Sequence, residues 1–484
     1  MSFFHGVKTS EVPTSINTPV VAGCGIPFVV GTAPIHMVHG KTNELIMAQS
    51  YKEAVEQIGY SEDWKKYTLC EFVYCQFQLY GVAPVIMVNV LDPAKHKKAV
   101  EKSQVQITDK QIKLPLEVIE DSLKVYENES ETALVKDTDY SVFYDDSTGK
   151  FIIEVLDGGS VYEAVTLYVQ YDVVDPEMVT KADIIGGYSI SSGRSTGVEL
   201  LNSSFFKFNI IPDLILAPGW SYDSEVAAIL LAKANVISSL FQAKALLDAD
   251  CEVAKKYSDV TEWKSKNNIF DKNQILFWPC VGLGGKIYHL STHMAGLMGK
   301  TDIANDDCPG RSPSNKALQI DSICLPDGEE ILQNLEQANY LNSNGVCTAL
   351  NFYGGFKAWG NYTACYPAVT DVKDYFMNVS RTFAWIAKTF ILTYWGNLDD
   401  NITPRFLDTI IDSFNIYLNG LTAAEKLLGG RIVALAEENP LTDLMAGKIK
   451  FHVYITPPSP AQEIQAAFEY DVSYIDVLFA KMVA

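Results

Sequence analysis

His289 and His293 stand four residues apart in KIYHLSTHMAGLMGK (286–300), a stretch whose pattern predicts a helix. Side chains at that spacing share one helix face, so two imidazoles could seat a divalent metal. The glutamate of an H-E-x-x-H arrangement is missing and no third ligand follows nearby, which favours one packed and one polar histidine. His36 and His39 in PIHMVHG read as turn residues on the same grounds. GLGGK (282–286) follows an expected strand and opens the expected helix, the place where a phosphate loop would sit. It matches neither GxxxxGK[ST] nor GxGxxG, and Ile287 stands where a magnesium-binding hydroxyl belongs. No GxSxG elbow occurs. The nine cysteines are scattered without a CxxC pair and read as reduced, packed thiols rather than nucleophiles or ligands. The N-x-S/T sites at Asn128, Asn202, Asn361, Asn378 and Asn401 carry no meaning without secretion, and the N-terminus shows no basic stretch followed by an apolar run. The residues assemble no catalytic, metal or cofactor site, and the reading is of a protein that is not an enzyme.

Composition narrows the partners. The chain has 484 residues, 48% of them hydrophobic, so it can bury a large core in several domains. A formal net charge of −21 argues against nucleic acid, whose affinity rests on cationic side chains. No uncharged apolar run is long enough to insert in a membrane. Other proteins are the expected partners.

The elements that would position any site alternate in kind. GIPFVVGTA, APVIMVNV (83–90), NIIPDLILAPG (209–219), AKALLDAD (243–250), NQILFWPCV (273–281) and GVCTALNFY (345–353) predict strands, several apolar enough to be buried on both faces. Helices are expected at 66–80, 223–241, 286–300 and 329–341. Between 97 and 182 the texture shifts to period-two alternation with acidic turns, including a hairpin over 140–156 and a strand over 164–174. Two long helices follow, at 371–395 and 404–428. The fold class is therefore α/β (α+β), multi-domain. The expected parts are an extended N-terminal arm (1–19), an α/β sandwich body (20–96 with 183–355), an inserted outer β-rich domain (97–182), a C-terminal inner domain (356–472) and a C-terminal arm (473–484). GGFKAWGNYTACYP (354–367) reads as the junction of body and C-terminal domain. There Gly354, Gly355 and Gly360 would allow tight turns, and Phe356 and Trp359 would anchor both cores.

The ordered set HGVKTSEV, FVVGTAP, YDVVDPEMVTKADIIGG, DLILAPGWSYDSEVAAIL, FWPCV, CPGRSPSNKALQI, LNSNGVCTALNFYGGFKAWGNYT and AGKIKFHVYITPPSPAQEIQAAFEY spans nearly the whole chain. Taken together it resembles the contractile tail sheath proteins of bacteriophages and of phage-tail-like contractile injection particles. GNLDDNITPR departs from the family's acidic-Pro-Asn turn after the long helix. The resemblance implies a virion structural subunit assembled in the bacterial host cytoplasm. It would polymerise helically around an inner tail tube, meet baseplate and tail terminator proteins, and contract to drive the tube through a cell envelope, with genome ejection in a phage. It implies strand exchange between copies. Arm residues Val7, Val12 and Ile16, with Tyr474, Val477 and Phe479, would add to a hairpin of KIKFHVYI (Phe451, Val453, Ile455) and IQAAFEYDV (Phe468, Tyr470, Val472). The rival readings are an α/β enzyme using GLGGK as a phosphate loop and a static tail or baseplate component.

Overall fold

A computed structural model describes residues 18–129, 132–145 and 148–476. Its frame is one eight-stranded sheet in the order Phe356–Trp359, Val346–Asn351, Gln274–Phe277, Lys244–Asp248, Leu214–Leu216, Pro27–Gly31, Val85–Asn89, Ile46–Ala48. The six inner strands pair in parallel and the two edge strands antiparallel. Parallel strands need covered faces, and Pro27–Gly31, Val85–Asn89 and Lys244–Asp248 are buried at every position. The helix Ser224–Asn235 starts cleanly because the Asp223 carboxylate accepts the amides of Glu225 (2.9 Å) and Val226 (3.4 Å).

The segment inside 97–182 builds its own core. Two three-stranded antiparallel sheets pack Phe151, Ile153, Leu167 and Val169 between them. Its hairpin pairs Tyr140–Asp145 with Lys150–Val155. His36 and His39, read as turn residues, lie beside this segment. His36 Nε2 is 3.1 Å from the Leu116 carbonyl, and His39 is 3.8 Å from Glu120.

A third core belongs to the C-terminal helices Met377–Tyr394 and Pro404–Ala423. Phe414 and Leu418 are fully buried there. Residues 20–22 lie on the first of these helices: Ala22 accepts from Trp385 Nε1 (2.7 Å), and its amide donates to Thr389 (3.2 Å).

Several local expectations change. The helix expected over 286–300 starts only at Leu290, because Lys286–Tyr288 is a strand paired antiparallel with Cys280–Leu283. Gly284 and Gly285, at φ 60° and 79°, are the turn of that hairpin, so GLGGK presents no helix N-terminus to a phosphate. Gly354 and Gly355, at φ 72° and 92°, likewise turn the body's own Val346–Asn351 strand into Phe356–Trp359. The 354–360 stretch is thus the edge of the body sheet rather than a junction: Phe356 packs on the body core, and Trp359 Nε1 donates to Asn339 at 3.1 Å. Gly360 is required where it stands, since a Cβ there would meet the Cys347 Cα at 3.0 Å.

Candidate assembly interface

Body and C-terminal unit, which the sequence was expected to join through the 354–367 stretch, are also held together by Arg381. This side chain leaves the Met377–Tyr394 helix and enters the body. Its Nη1 donates to Asp302 at 3.1 Å and its Nη2 donates to Asp213 at 2.8 Å and also to Asp302. Asp213 in turn accepts the Ile26 amide at 2.8 Å. Burial pushes Asp302 up to about 6, while Asp213, also penalised by burial, is held low by Arg381 and Lys388. A desolvated guanidinium between two carboxylates fixes geometry strongly and tolerates the loss of no member. Beside it the buried Lys244 ammonium donates to Asn273 (2.6 Å), Ser380 (2.7 Å) and the Lys272 carbonyl (2.9 Å), and burial lowers it to about 7. Arg381 and Lys388, two cations on a largely buried helix, were the signal in the sequence; the partners of Arg381 lie 79 and 168 residues away and left none.

The C-terminal hairpin is paired differently from the expectation. His452–Thr456 lies antiparallel to Gly429–Val433, with Ile432 opposite Val453. It does not pair with 464–472, which contains no strand. Phe451, Val453 and Ile455 face inward onto the C-terminal core, and Phe451 meets Phe390 at 6.2 Å between ring centres. Tyr454 points outward, stacked on His452 at 4.2 Å with Arg431 4.5 Å from its ring centre.

The two edges of this small sheet are unequal. Asn415 on the Pro404–Ala423 helix donates to the Ile432 carbonyl (3.2 Å) and accepts its amide (2.9 Å). Its side-chain amide takes the place that a neighbouring strand would fill, so the Gly429–Val433 edge is closed from within the chain. The His452–Thr456 edge has no strand beside it among the described residues. An open edge of this kind accepts an added strand.

The chain then leaves its own core. Two anchors guide it: Asn378 Nδ2 donates to the Pro458 carbonyl (3.3 Å), and Tyr362 Oη donates to Gln462 (2.7 Å). From 463 to 471 there is neither helix nor strand, and Val472–Asp476 forms one short 3-10 turn. Ile464, Phe468, Tyr470, Val472 and Tyr474 are all exposed, Phe468 at 97%. Val7, Val12, Ile16, Val477 and Phe479, named as arm residues, lie outside the described residues.

The chemistry-bearing residues do not converge. His289 Nδ1 sits 2.8 Å from Glu71, at the N-terminus of its helix, and Glu71 also accepts the His289 amide. His293 is buried against the Tyr80 hydroxyl at 3.0 Å. All nine cysteines are buried and unpaired. Among the described residues no helix is long and apolar enough to cross a membrane.

No family model matches the chain. The tail sheath protein of Burkholderia phage BcepMu is 26% identical over 484 residues, covering 98% of both chains. The major tail sheath protein of Serratia phage KSP20 is 24% identical over 63% of this chain and 75% of its own. Among solved structures, the contracted helical sheath of the anti-feeding prophage aligns over 97% of this chain and all of its own, with TM-score 0.59 at 13% identity. The contracted PVC sheath of an extracellular contractile injection system aligns over 98% and 99% of the two chains, with TM-score 0.58 at 12% identity. A sheath tail protein from Desulfitobacterium hafniense aligns over 89% and 93%, with TM-score 0.54. Aligned end to end with a phage tail sheath protein at 26% identity and sharing the fold of solved sheath subunits, the chain is similar over its whole length to contractile tail sheath proteins.

Proposed function

We propose that this chain polymerises helically around an inner tail tube, as the wall of a phage or phage-tail-like particle, and that its contraction drives the tube through a target envelope. Baseplate and tail terminator proteins would bound the polymer at its ends. One observation carries the reading: residues 463–476 leave a folded, self-contained subunit with their apolar side chains in solvent, beside a sheet that keeps one edge open. A segment like this reaches low free energy only on another copy.

The arms 1–19 and 473–484 would extend the His452–Thr456 edge of neighbours. Each added backbone hydrogen bond contributes only about 0.5–1.5 kcal/mol net, yet several per arm, repeated along a tube, hold copies together while their bodies move. Contraction would bring the α/β bodies into larger apolar contacts, and that burial supplies the work. The segment inside 97–182 would stand outermost, and the region 404–447 would face the tube. Negative-stain microscopy of the purified chain tests the reading. Wide hollow polymers are expected; narrow tubes, closed rings or a permanent monomer at high concentration would refute it.

A further inference from the structure

Two apolar patches outside the arms stand at opposite edges of the eight-stranded sheet. The first lies on the Val346–Asn351 side, where the hairpin turn exposes Phe352 and Tyr353 (83%) and the neighbouring chain exposes Leu332 (85%). Gln333 ties that neighbour to the strand through Thr348 at 3.1 Å. The second lies beyond the Ile46–Ala48 edge. There the hairpin Gly187–Ser189 with Arg194–Thr196 exposes Tyr188 and Ile190 (91%), and the helix Ser204–Phe208 exposes Phe206. This segment is fixed to that edge by Gly197 donating to Asn43 (2.9 Å) and Lys207 donating to the Leu45 carbonyl (2.8 Å).

The charges around the patches are opposite. Asp327, Glu329 and Glu330 precede Leu332, all three exposed and none in an ion pair among the described residues. Arg194 and Lys207 flank the second patch, exposed and likewise without a carboxylate partner among the described residues. Seven strand intervals separate the two edges, roughly 34 Å at the usual spacing. Patches this far apart on one molecule cannot meet each other. They can meet only in different copies, and two unlike patches in contact give a head-to-tail arrangement that stays open.

We propose that the 187–196 hairpin and Phe206 of one copy dock on the 327–332 and 352–355 surface of the next, making a body-to-body contact separate from the arms. Tyr188 and Ile190 would cover Leu332, Phe352 and Tyr353, and Arg194 would face the carboxylates of 327–330 or an aromatic ring. The proposal rests on the reading of the chain as a helical polymer and identifies which body surfaces that polymer brings together.

The test is site-directed cross-linking in the full-length chain, where the native thiols are buried. The double variant Ile190→Cys with Tyr353→Cys is treated with diamide after assembly, and microscopy of the same sample records whether polymers form. The expected result is a ladder on non-reducing gels extending well beyond the dimer, with each single variant staying at monomer. Polymers without a ladder would overturn the contact and leave the sheath reading intact. Dimers from a single variant would mean like patches meet, which also overturns it. Absence of polymers in the wild-type chain would overturn both. As a second arm, Arg194→Glu should lower the polymerised fraction several-fold, and Glu329→Lys with Glu330→Lys in the same chain should restore it. Failure of that rescue would count against the charge pairing.

Discussion

The body and the C-terminal segment draw on the same kinds of side chain and use them in opposite ways. Phe277 and Trp278 end a central strand with essentially no exposure, and the Trp278 indole donates to the Ala254 carbonyl at 2.8 Å. Phe468 and Tyr470 have comparable apolar surface and leave it in water. Polar groups show the same contrast. Inside, Arg381, Lys244 and Asp248 each meet partners in their own chain. At the hairpin, the Asn415 amide closes one sheet edge and leaves the other open. On the proposed function, folding rests on the buried side chains and arm-mediated assembly on the exposed C-terminal ones, so changes in one should leave the other readable.

The largest effect is expected at the buried seam. Arg381→Ala strands two buried carboxylates, and a loss of about 3–5 kcal/mol should appear as a lower denaturant midpoint of the unassembled chain. A smaller effect follows pH. Burial holds His293 at about 3, so the unfolded chain binds the extra proton and stability falls as pH drops below about 6.5. For His289 burial acts downward, but the Glu71 carboxylate outweighs it and raises the group to about 9. Its contribution is complete below about 6.5 and is lost as pH rises toward 9. His289→Gln should accordingly narrow its gap from the wild type across that interval, measured as urea midpoints at successive pH values. A gap that stays constant would mean the pair does not titrate there.

Asn415→Ala removes the plug from the Gly429–Val433 edge. About 1 kcal/mol should be lost, with off-pathway aggregation rising because a second edge becomes available. Unchanged assembly would show that the plug has no part in choosing the edge. The smallest effect is expected for Tyr362→Phe, which frees Gln462 and should cost at most about 1 kcal/mol while loosening protease protection near 458–462.

Much of the body was legible because parallel strands buried on both faces print themselves as apolar runs: APVIMVNV and AKALLDAD both became inner strands. The pairing of Tyr140–Asp145 with Lys150–Val155 was legible through its period-two alternation. The helix over 66–80 was seen, but its second half, Tyr74–Tyr80, is a π-helix, which leaves no mark in spacing. The C-terminal hairpin misled for a physical reason. IQAAFEYDV has strand composition, yet no strand among the described residues of its own chain pairs with it, while GGRIV, with two glycines, makes a strand because the Pro404–Ala423 helix and Asn415 support it. Glycines at 284–285 and 354–355 were visible as turns, but whether each turn opened a helix or closed a hairpin depended on partners that local sequence does not encode.

The division between a self-sufficient subunit and an assembly segment is tested most directly by deleting residues 463–484 and measuring, on one preparation, the denaturant midpoint and the polymers seen by negative stain. The midpoint should match the full-length chain within error and the wide tubes should disappear. Tubes that persist, or a subunit that no longer folds, would contradict the account.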